Sequence, residues 1–393
     1  MNRALIPIEK ILSFLFFLFI IISLDPYFIW FYNTSFYLRV FLYVFILINS
    51  AYYLHFHLKW KVGRGDVLIF ISYIVLIIYA WFPRELGGHL SFAMLFTGIF
   101  LIMPIKVKML VWEYFIRFHI VFISIGFLSY LSILFGLQDP VSYLSLDSGR
   151  GYFIFLFTTF IDHADITFST EVGIFSRFMG YLNEPGFLGV INALIIIASR
   201  FELSKANLIL FITGIFTISL GFYFLIIIGS FLTFYNQKKE FFVRNFIILF
   251  AFIGALFFFK DSEIINNLLI SRLDISDTGI SGYRRGDGGN IVNLWLSSDL
   301  LGFLFGVGGT EGPSSFYLNL IQLGVIGVVF IVLILLLIPV QMKIKRYPWV
   351  FLFLLFLTSF LKPGVFYINY LIIIYYATYT LNQDNFTKKY EYK

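Results

Sequence analysis

Apolar residues run along this chain in long, nearly unbroken blocks, and charged residues fall between the blocks. The blocks lie at about 8–24, 36–56, 66–82, 89–105, 111–136, 187–201, 206–219, 221–236, 241–259, 316–340, 348–361 and 364–381. An upright helix needs about 20 residues to cross a bilayer, fewer where the bilayer thins or the segment is re-entrant. The pattern predicts an all-α fold: a polytopic membrane helix bundle of about 12 transmembrane helices, residues 1–393 forming a single membrane domain. No small-residue cleavage pattern follows the first block, so it is expected to be the first span rather than a signal peptide.

Ala206 to Tyr235 is one continuous apolar run. Basic residues flank it on both sides, Arg200 and Lys205 before it, Lys238 and Lys239 after it. A single span would put one basic flank on the wrong side, so two short spans are expected, joined near Ser219-Leu220-Gly221. Gly221 suits such a turn because it tolerates positive φ. Two inter-block stretches, 137–186 and 260–315, are each about 50 residues long, far beyond an ordinary connection. They are expected to be long extracytoplasmic loops that carry the function.

Composition agrees with the block pattern. The chain is 60% hydrophobic and 13% charged, whereas a soluble domain carries about 25% charge. Its 53 Phe and 25 Tyr fit lipid-facing and interfacial packing. There are no cysteines, which excludes thiolate catalysis and cysteine-ligated metal. The net charge of +6 carries no nucleic-acid signal, but its distribution gives orientation. With the N-terminus in the cytoplasm, the inside ends hold Arg3 and Lys10, then Lys59, Lys61 and Arg64, then Lys106 and Lys108. Further along they hold Arg200, Lys205, Lys238, Lys239, Arg244, Lys343, Lys345, Arg346, Lys388, Lys389 and Lys393. Both termini are thereby expected inside.

The candidate chemistry sits in the long loops. The first contributes Arg150, Asp162, His163, Asp165, Glu171, Arg177 and Glu184; the second contributes Arg272, Asp274, Asp277, Tyr283, Arg284, Arg285 and Asp287. Arginines gathered on one membrane face fit an anion, because the guanidinium fork matches phosphate oxygens. Pairing of each arginine with a nearby Asp, or with lipid headgroups, is the bland alternative. Asp162-His163-Ala164-Asp165 lacks the spacing of a metal site, so no metal and no cofactor is expected. His55, His57, His89 and His119 are expected to be interfacial or packed. Glu113 and Arg117 read as an i,i+4 ion pair. The glycines of FGVGGTEGP follow no strand, so they imply no nucleotide site.

Three stretches carry a resemblance: FSRFMGYLNEPGFLG (Phe175–Gly189), TISLGFYF (Thr217–Phe224) and LGFLFGVGGTEGPSSFYLNLIQLGVIGVV (Leu301–Val329). Together with the architecture, they resemble the bacterial O-antigen and capsular polysaccharide polymerases, the Wzy family. The resemblance implies a metal-independent glycosyltransferase of the bacterial inner membrane. Donor and acceptor would be oligosaccharides on undecaprenyl pyrophosphate, and a chain-length regulator and a flippase would be partners. It implies Arg177, Arg284 and Arg285 for the pyrophosphate and Glu184 as the acid/base. Arg272, Tyr283, Asp287 and Arg150 would bind substrate.

Other readings stay open. Ligases of the same superfamily carry a functional His in the second long loop, and this loop has none. A lipid-linked oligosaccharide flippase or other transporter would place charges near the bilayer midplane, where this sequence shows almost none. A structural or assembly subunit would use the loops to bind partners. A metal-dependent lipid-linked sugar transferase needs carboxylates in the first outside loop, where only Asp25 stands.

Overall fold

The computed structural model describes residues 7–24, 26–28, 35–57, 62–81, 89–145, 151–162, 167–170, 173–182, 184–234, 296–306, 316–341 and 370–377. The first helices are α1 (Ile8–Ser23), α2 (Ser35–Tyr52, continued by a π turn at Tyr53–His57), α3 (Arg64–Trp81), α4 (His89–Ile102) and α5 (Ile105–Leu134). Five short strands follow: β1 (Ser142–Ser145), β2 (Gly151–Ile154), β3 (Thr159–Asp162), β4 (Thr167–Thr170) and β5 (Gly173–Ser176). Then come α6 (Pro185–Ala198), α7 (Lys205–Phe216), α8 (Leu220–Phe234), α9 (Leu300–Phe305), α10 (Phe316–Gln341) and α11 (370–377).

The fold is mostly helical. Among the described residues, three stretches are long and apolar enough to cross a membrane: Tyr37–His57, Ile105–Leu134 and Ile321–Ile338. Helices α6, α7 and α8 are apolar but shorter. The expected spans at 241–259 and 348–361 lie outside the described residues, as do most of 364–381 and most of the second long loop.

Two compact units divide the chain. One comprises Met1–Leu24, Asn33–Arg117 and Gly286–Lys393; the other comprises Asp25–Tyr32 and Phe118–Arg285. In the first, Lys106 pairs with Glu9 at 2.5 Å, and the Tyr53 hydroxyl donates to Glu9 at 3.3 Å. Lys108 reaches Asp66 at 3.4 Å, donates to the Leu101 carbonyl at 2.8 Å, and lies over the Tyr375 ring. These contacts join the starts of α1, α3 and α5 to the end of α2. They are the helix ends that the distribution of Lys and Arg assigns to one side.

In the same unit, α10 kinks at Gly324, which adopts φ 65°. The kink leaves the Leu323 carbonyl to accept from the Tyr79 hydroxyl at 2.7 Å. A methyl built on Gly306 comes within 2.7 Å of the Gly324 nitrogen, so glycine lets α9 and α10 meet backbone to backbone.

The second unit departs from the all-α expectation. Residues 137–186 hold a three-stranded antiparallel meander, β1-β2-β3, and a β4-β5 hairpin. Aromatic and β-branched residues suit the pleat, and Tyr143 faces Phe153 across the β1–β2 pair with ring centroids 5.1 Å apart. Each strand has only four residues, too few for alternation to stand out in the sequence.

Helix α6 forms the centre of this unit. Every residue but Phe187 is buried, as expected of a helix apolar on all sides. Pro185 occupies its first turn, where the missing N–H costs nothing. Helices α7 and α8 both pack on it. They are separate helices, as the basic flanks predict, but the break falls at Thr217–Ser219. Its left-handed residue is Ile218, at φ 46°, and Gly221 lies inside α8. A left-handed β-branched residue is strained by about 1–2 kcal/mol, so the packing around Ile218 must hold it there.

Candidate functional site

The segment Arg177–Leu182 leads from β5 towards α6. It has no regular secondary structure, yet it is deeply buried. Phe178, Met179, Tyr181 and Leu182 are fully enclosed, and Arg177 is 7% exposed. Gly180 makes the necessary left-handed turn at φ 59°. Buried irregular backbone needs partners for its polar groups, and here protein supplies them. The Phe178 N–H donates to the Phe216 carbonyl at 2.9 Å, and the Tyr27 N–H donates to the Tyr181 carbonyl at 3.1 Å.

Arg177 lies against the break between α7 and α8, where its Nε donates to the Thr217 carbonyl at 2.8 Å. Just beside this point, Gly189 of α6 packs so closely that a methyl there would meet Thr217 and Ser219 at 2.8 Å. The stretches FSRFMGYLNEPGFLG and TISLGFYF, far apart in sequence, therefore meet. Glu184 is half-buried and forms the N-cap position of α6 in extended backbone; its side chain does not cap the helix.

A second polar chain crosses the same unit. His119 of α5 is fully buried between two partners. Its Nδ1 lies 2.8 Å from the Tyr181 hydroxyl and its Nε2 lies 2.8 Å from Asn192 Oδ1 on α6. Asn192 Nδ2 donates to Thr213 Oγ1 at 3.0 Å and to the Leu210 carbonyl at 3.2 Å, both on α7. Thr213 in turn donates to the Ile209 carbonyl at 2.7 Å.

The direction of the chain follows from the donor inventory. Carbonyls accept only, so Nδ2 must face Leu210 and Oδ1 must face His119. His119 Nε2 is then the donor, and Nδ1 accepts the Tyr181 proton. Burial pushes the Tyr181 phenol above its ordinary value, so it keeps that proton. A neutral imidazole satisfies these bonds without placing a charge in the core.

The sequence places His119 among the interfacial or packed histidines. It is packed, but as the link between α5, the 177–182 segment and, through Asn192, α6 and α7. The available signal was its place well inside an apolar block, where a polar side chain must find a partner. Lys108, assigned to a cytoplasmic flank, is likewise buried within the candidate span of α5. Its position near the start of that helix and its set of partners are those of a structural ion pair. Glu113 and Arg117 form the expected exposed pair at 3.8 Å.

Arg150, Arg272, Tyr283, Arg284, Arg285 and Asp287 all lie outside the described residues, as do His163, Asp165 and Glu171. Of the expected catalytic set, the structure describes Arg177 and Glu184. Among the described residues, no group of three or more His, Asp or Glu could hold a metal ion.

No family model matches the chain. No curated protein matches it, and no solved structure does.

Proposed function

We propose that the chain is a membrane glycosyltransferase that polymerises oligosaccharide units carried on a lipid pyrophosphate. The observation that carries this reading is the meeting of Arg177 with the α7–α8 break. It brings two of the three stretches that resemble the polysaccharide polymerases into one cluster, with a cationic side chain at its centre.

In the proposed step, a hydroxyl of the acceptor sugar attacks the anomeric carbon of the donor glycan. The bond from that carbon to the pyrophosphate oxygen breaks, and the lipid pyrophosphate leaves with the bonding electrons. The leaving group gains negative charge, so a guanidinium held against it lowers the barrier. Arg177 takes this role, with Arg284 and Arg285 from the second loop. Glu184 accepts the proton of the attacking hydroxyl, as a carboxylate can at the end of a short buried segment. Arg150, Arg272, Tyr283 and Asp287 hold the sugars. The membrane is the bacterial inner membrane, with both termini cytoplasmic.

Charge-stabilising donors of this kind contribute about 10²–10³ in rate. Arg177→Ala is expected to collapse the glycan ladder in a cell lacking its own polymerase, leaving single capped repeats on the outer face. Arg177→Lys keeps the charge but not the fork, and should leave a weak, short ladder. Immunoblotting checks that each variant reaches the membrane. A normal ladder from Arg177→Ala overturns the assignment. Single repeats trapped on the inner face would point to a flippase instead.

A further inference from the structure

The turn between β2 and β3 is built against the usual rules of loop chemistry. Its four residues are Phe155, Leu156, Phe157 and Thr158, closed by the Phe155 N–H donating to the Thr158 carbonyl at 2.9 Å. Turns in water draw on Gly, Pro, Asn, Asp and Ser, and this one has none. Phe155 and Thr158 point inward and are buried, whereas Leu156 is 61% and Phe157 37% exposed. The tip of the hairpin therefore presents a leucine and a phenylalanine outward.

Its position is equally telling. A methyl built on Gly126 of α5 would come within 2.9 Å of the Phe157 carbonyl oxygen. Gly126 lies eight residues before the end of α5 at Leu134, so the turn packs about 12 Å back along that helix. The hairpin is folded down alongside α5. From Lys108, near the start of α5, to Gly126 the helix rises about 27 Å, close to the roughly 30 Å of a hydrocarbon core. A bilayer crossed by α5 with Lys108 at one face would have the turn near its other face, where acyl chain gives way to headgroup.

Two further features fit that level. Val121, Ile125 and Leu128, exposed on one face of α5 at helical spacing, form an apolar stripe suited to lipid that leads towards exposed Phe135. The Leu156 carbonyl, which would need water at an ordinary loop tip, instead accepts from the Tyr27 hydroxyl at 2.8 Å. Backbone groups satisfied from within are what a lipid environment demands.

We propose that the β2–β3 turn is a membrane anchor. Leu156 and Phe157 insert into the leaflet around the C-terminal half of α5 and fasten the 137–186 excursion to the lipid surface. The excursion is then a platform lying on the bilayer rather than a loop reaching into water. The inference stands on the membrane character of the chain alone and does not depend on the proposed polymerase activity.

The absence of native cysteine makes the test direct. Leu156→Cys and, as a control on the exposed stretch after α5, Asp139→Cys are each introduced singly. They are reacted with a membrane-impermeant maleimide in intact membranes, then labelled with bimane and placed in nanodiscs of phosphatidylcholine carrying shallow or deep doxyl groups. Position 156 should lose most of its maleimide labelling relative to 139. Its bimane emission should shift to the blue and be quenched most by the shallow doxyl lipid. Equal labelling at both positions, without quenching, overturns the proposal. Protection in membranes that disappears in nanodiscs assigns the turn to a protein partner. Protection in both without doxyl quenching assigns it to another part of this chain. Either of these also overturns it.

Discussion

The polar chain through His119 predicts a reversal that simple loss of packing does not. Tyr181→Phe deletes the hydroxyl that donates to His119 Nδ1 at 2.8 Å and leaves that nitrogen without the donor. An orphaned buried acceptor costs about 1–3 kcal/mol. Hydrogen bonds between membrane helices average nearer 0.6 kcal/mol and reach about 1.7, because the inserted unfolded state finds other partners. Tyr181 lies on an irregular segment rather than on a helix, so its reference state is less protected. The expected cost is about 1–2 kcal/mol, from the overlap of the two ranges.

His119→Leu removes both imidazole bonds and strands two groups, the Tyr181 hydroxyl and Asn192 Oδ1. It should cost more, about 2–4 kcal/mol for two orphans. On that background Tyr181→Phe removes an orphan instead of creating one, so it should be neutral or stabilising. The double-mutant cycle should therefore show at least about 1 kcal/mol of coupling, well above the scatter for independent sites. Purified protein titrated with SDS in dodecylmaltoside micelles, followed by tryptophan fluorescence, measures each corner. If Tyr181→Phe costs the same with histidine or leucine at 119, the two residues do not share a bond. The orientation deduced for Asn192 then loses its basis as well.

Two further substitutions test the surroundings. Gly189→Ala should destabilise by about 1–3 kcal/mol through overpacking, because its methyl meets Thr217, Ser219 and Phe222 within 3.1 Å; Gly98→Ala, with ordinary 3.5 Å contacts, should be tolerated in the same SDS titration. Thr158→Val should be neutral or stabilise by about 1 kcal/mol in the SDS titration, since the Thr158 hydroxyl is buried and meets no hydrogen-bond partner; a clear loss of stability would mean an ordered water or ligand satisfies it.

The helices were legible in the sequence because apolar blocks between charges leave the chain few alternatives. Helices α1 to α8 and α10 begin and end within a few residues of the blocks, except at α5, which starts six residues early and buries Lys108; the short α9 falls in no block. That error follows from treating lysine as a boundary marker: a lysine with a carboxylate, a carbonyl and a ring to meet can enter the core. The strands were not legible, because four-residue segments such as TFID and GIFS are shorter than any periodicity test needs. The turn residue of the α7–α8 break was misplaced for a related reason. Glycine marks where left-handed backbone is easy, but Ile218 is held there by tertiary packing, which no local rule contains. Of the site, Arg177 and Glu184 were visible as charges beside a Pro-Gly break. The hydrogen-bonded chain was not, since its members come from residues 119, 181, 192 and 213 and meet only in the fold.

The break at Thr217–Ser219 and the irregular segment Arg177–Leu182 depend on each other, and the backbone accounting shows why. In one continuous helix across 205–234, the carbonyls of Phe216 and Thr217 would accept from the N–H groups of Leu220 and Gly221. They would then not be the free acceptors that the Phe178 N–H and Arg177 Nε use here. Those two buried donors would be left without these partners, at about 1–3 kcal/mol each and more for the charged one. Conversely, without Arg177 and Phe178 the broken helix would bury two carbonyls at its end with nothing to satisfy them. Neither irregularity is stable alone in a buried setting, and each supplies what the other lacks. The arginine of SRFMGYLNEPGFLGV is therefore first a structural necessity of the α7–α8 joint. Any contact it makes with an anion must use guanidinium donors other than the one already given to Thr217.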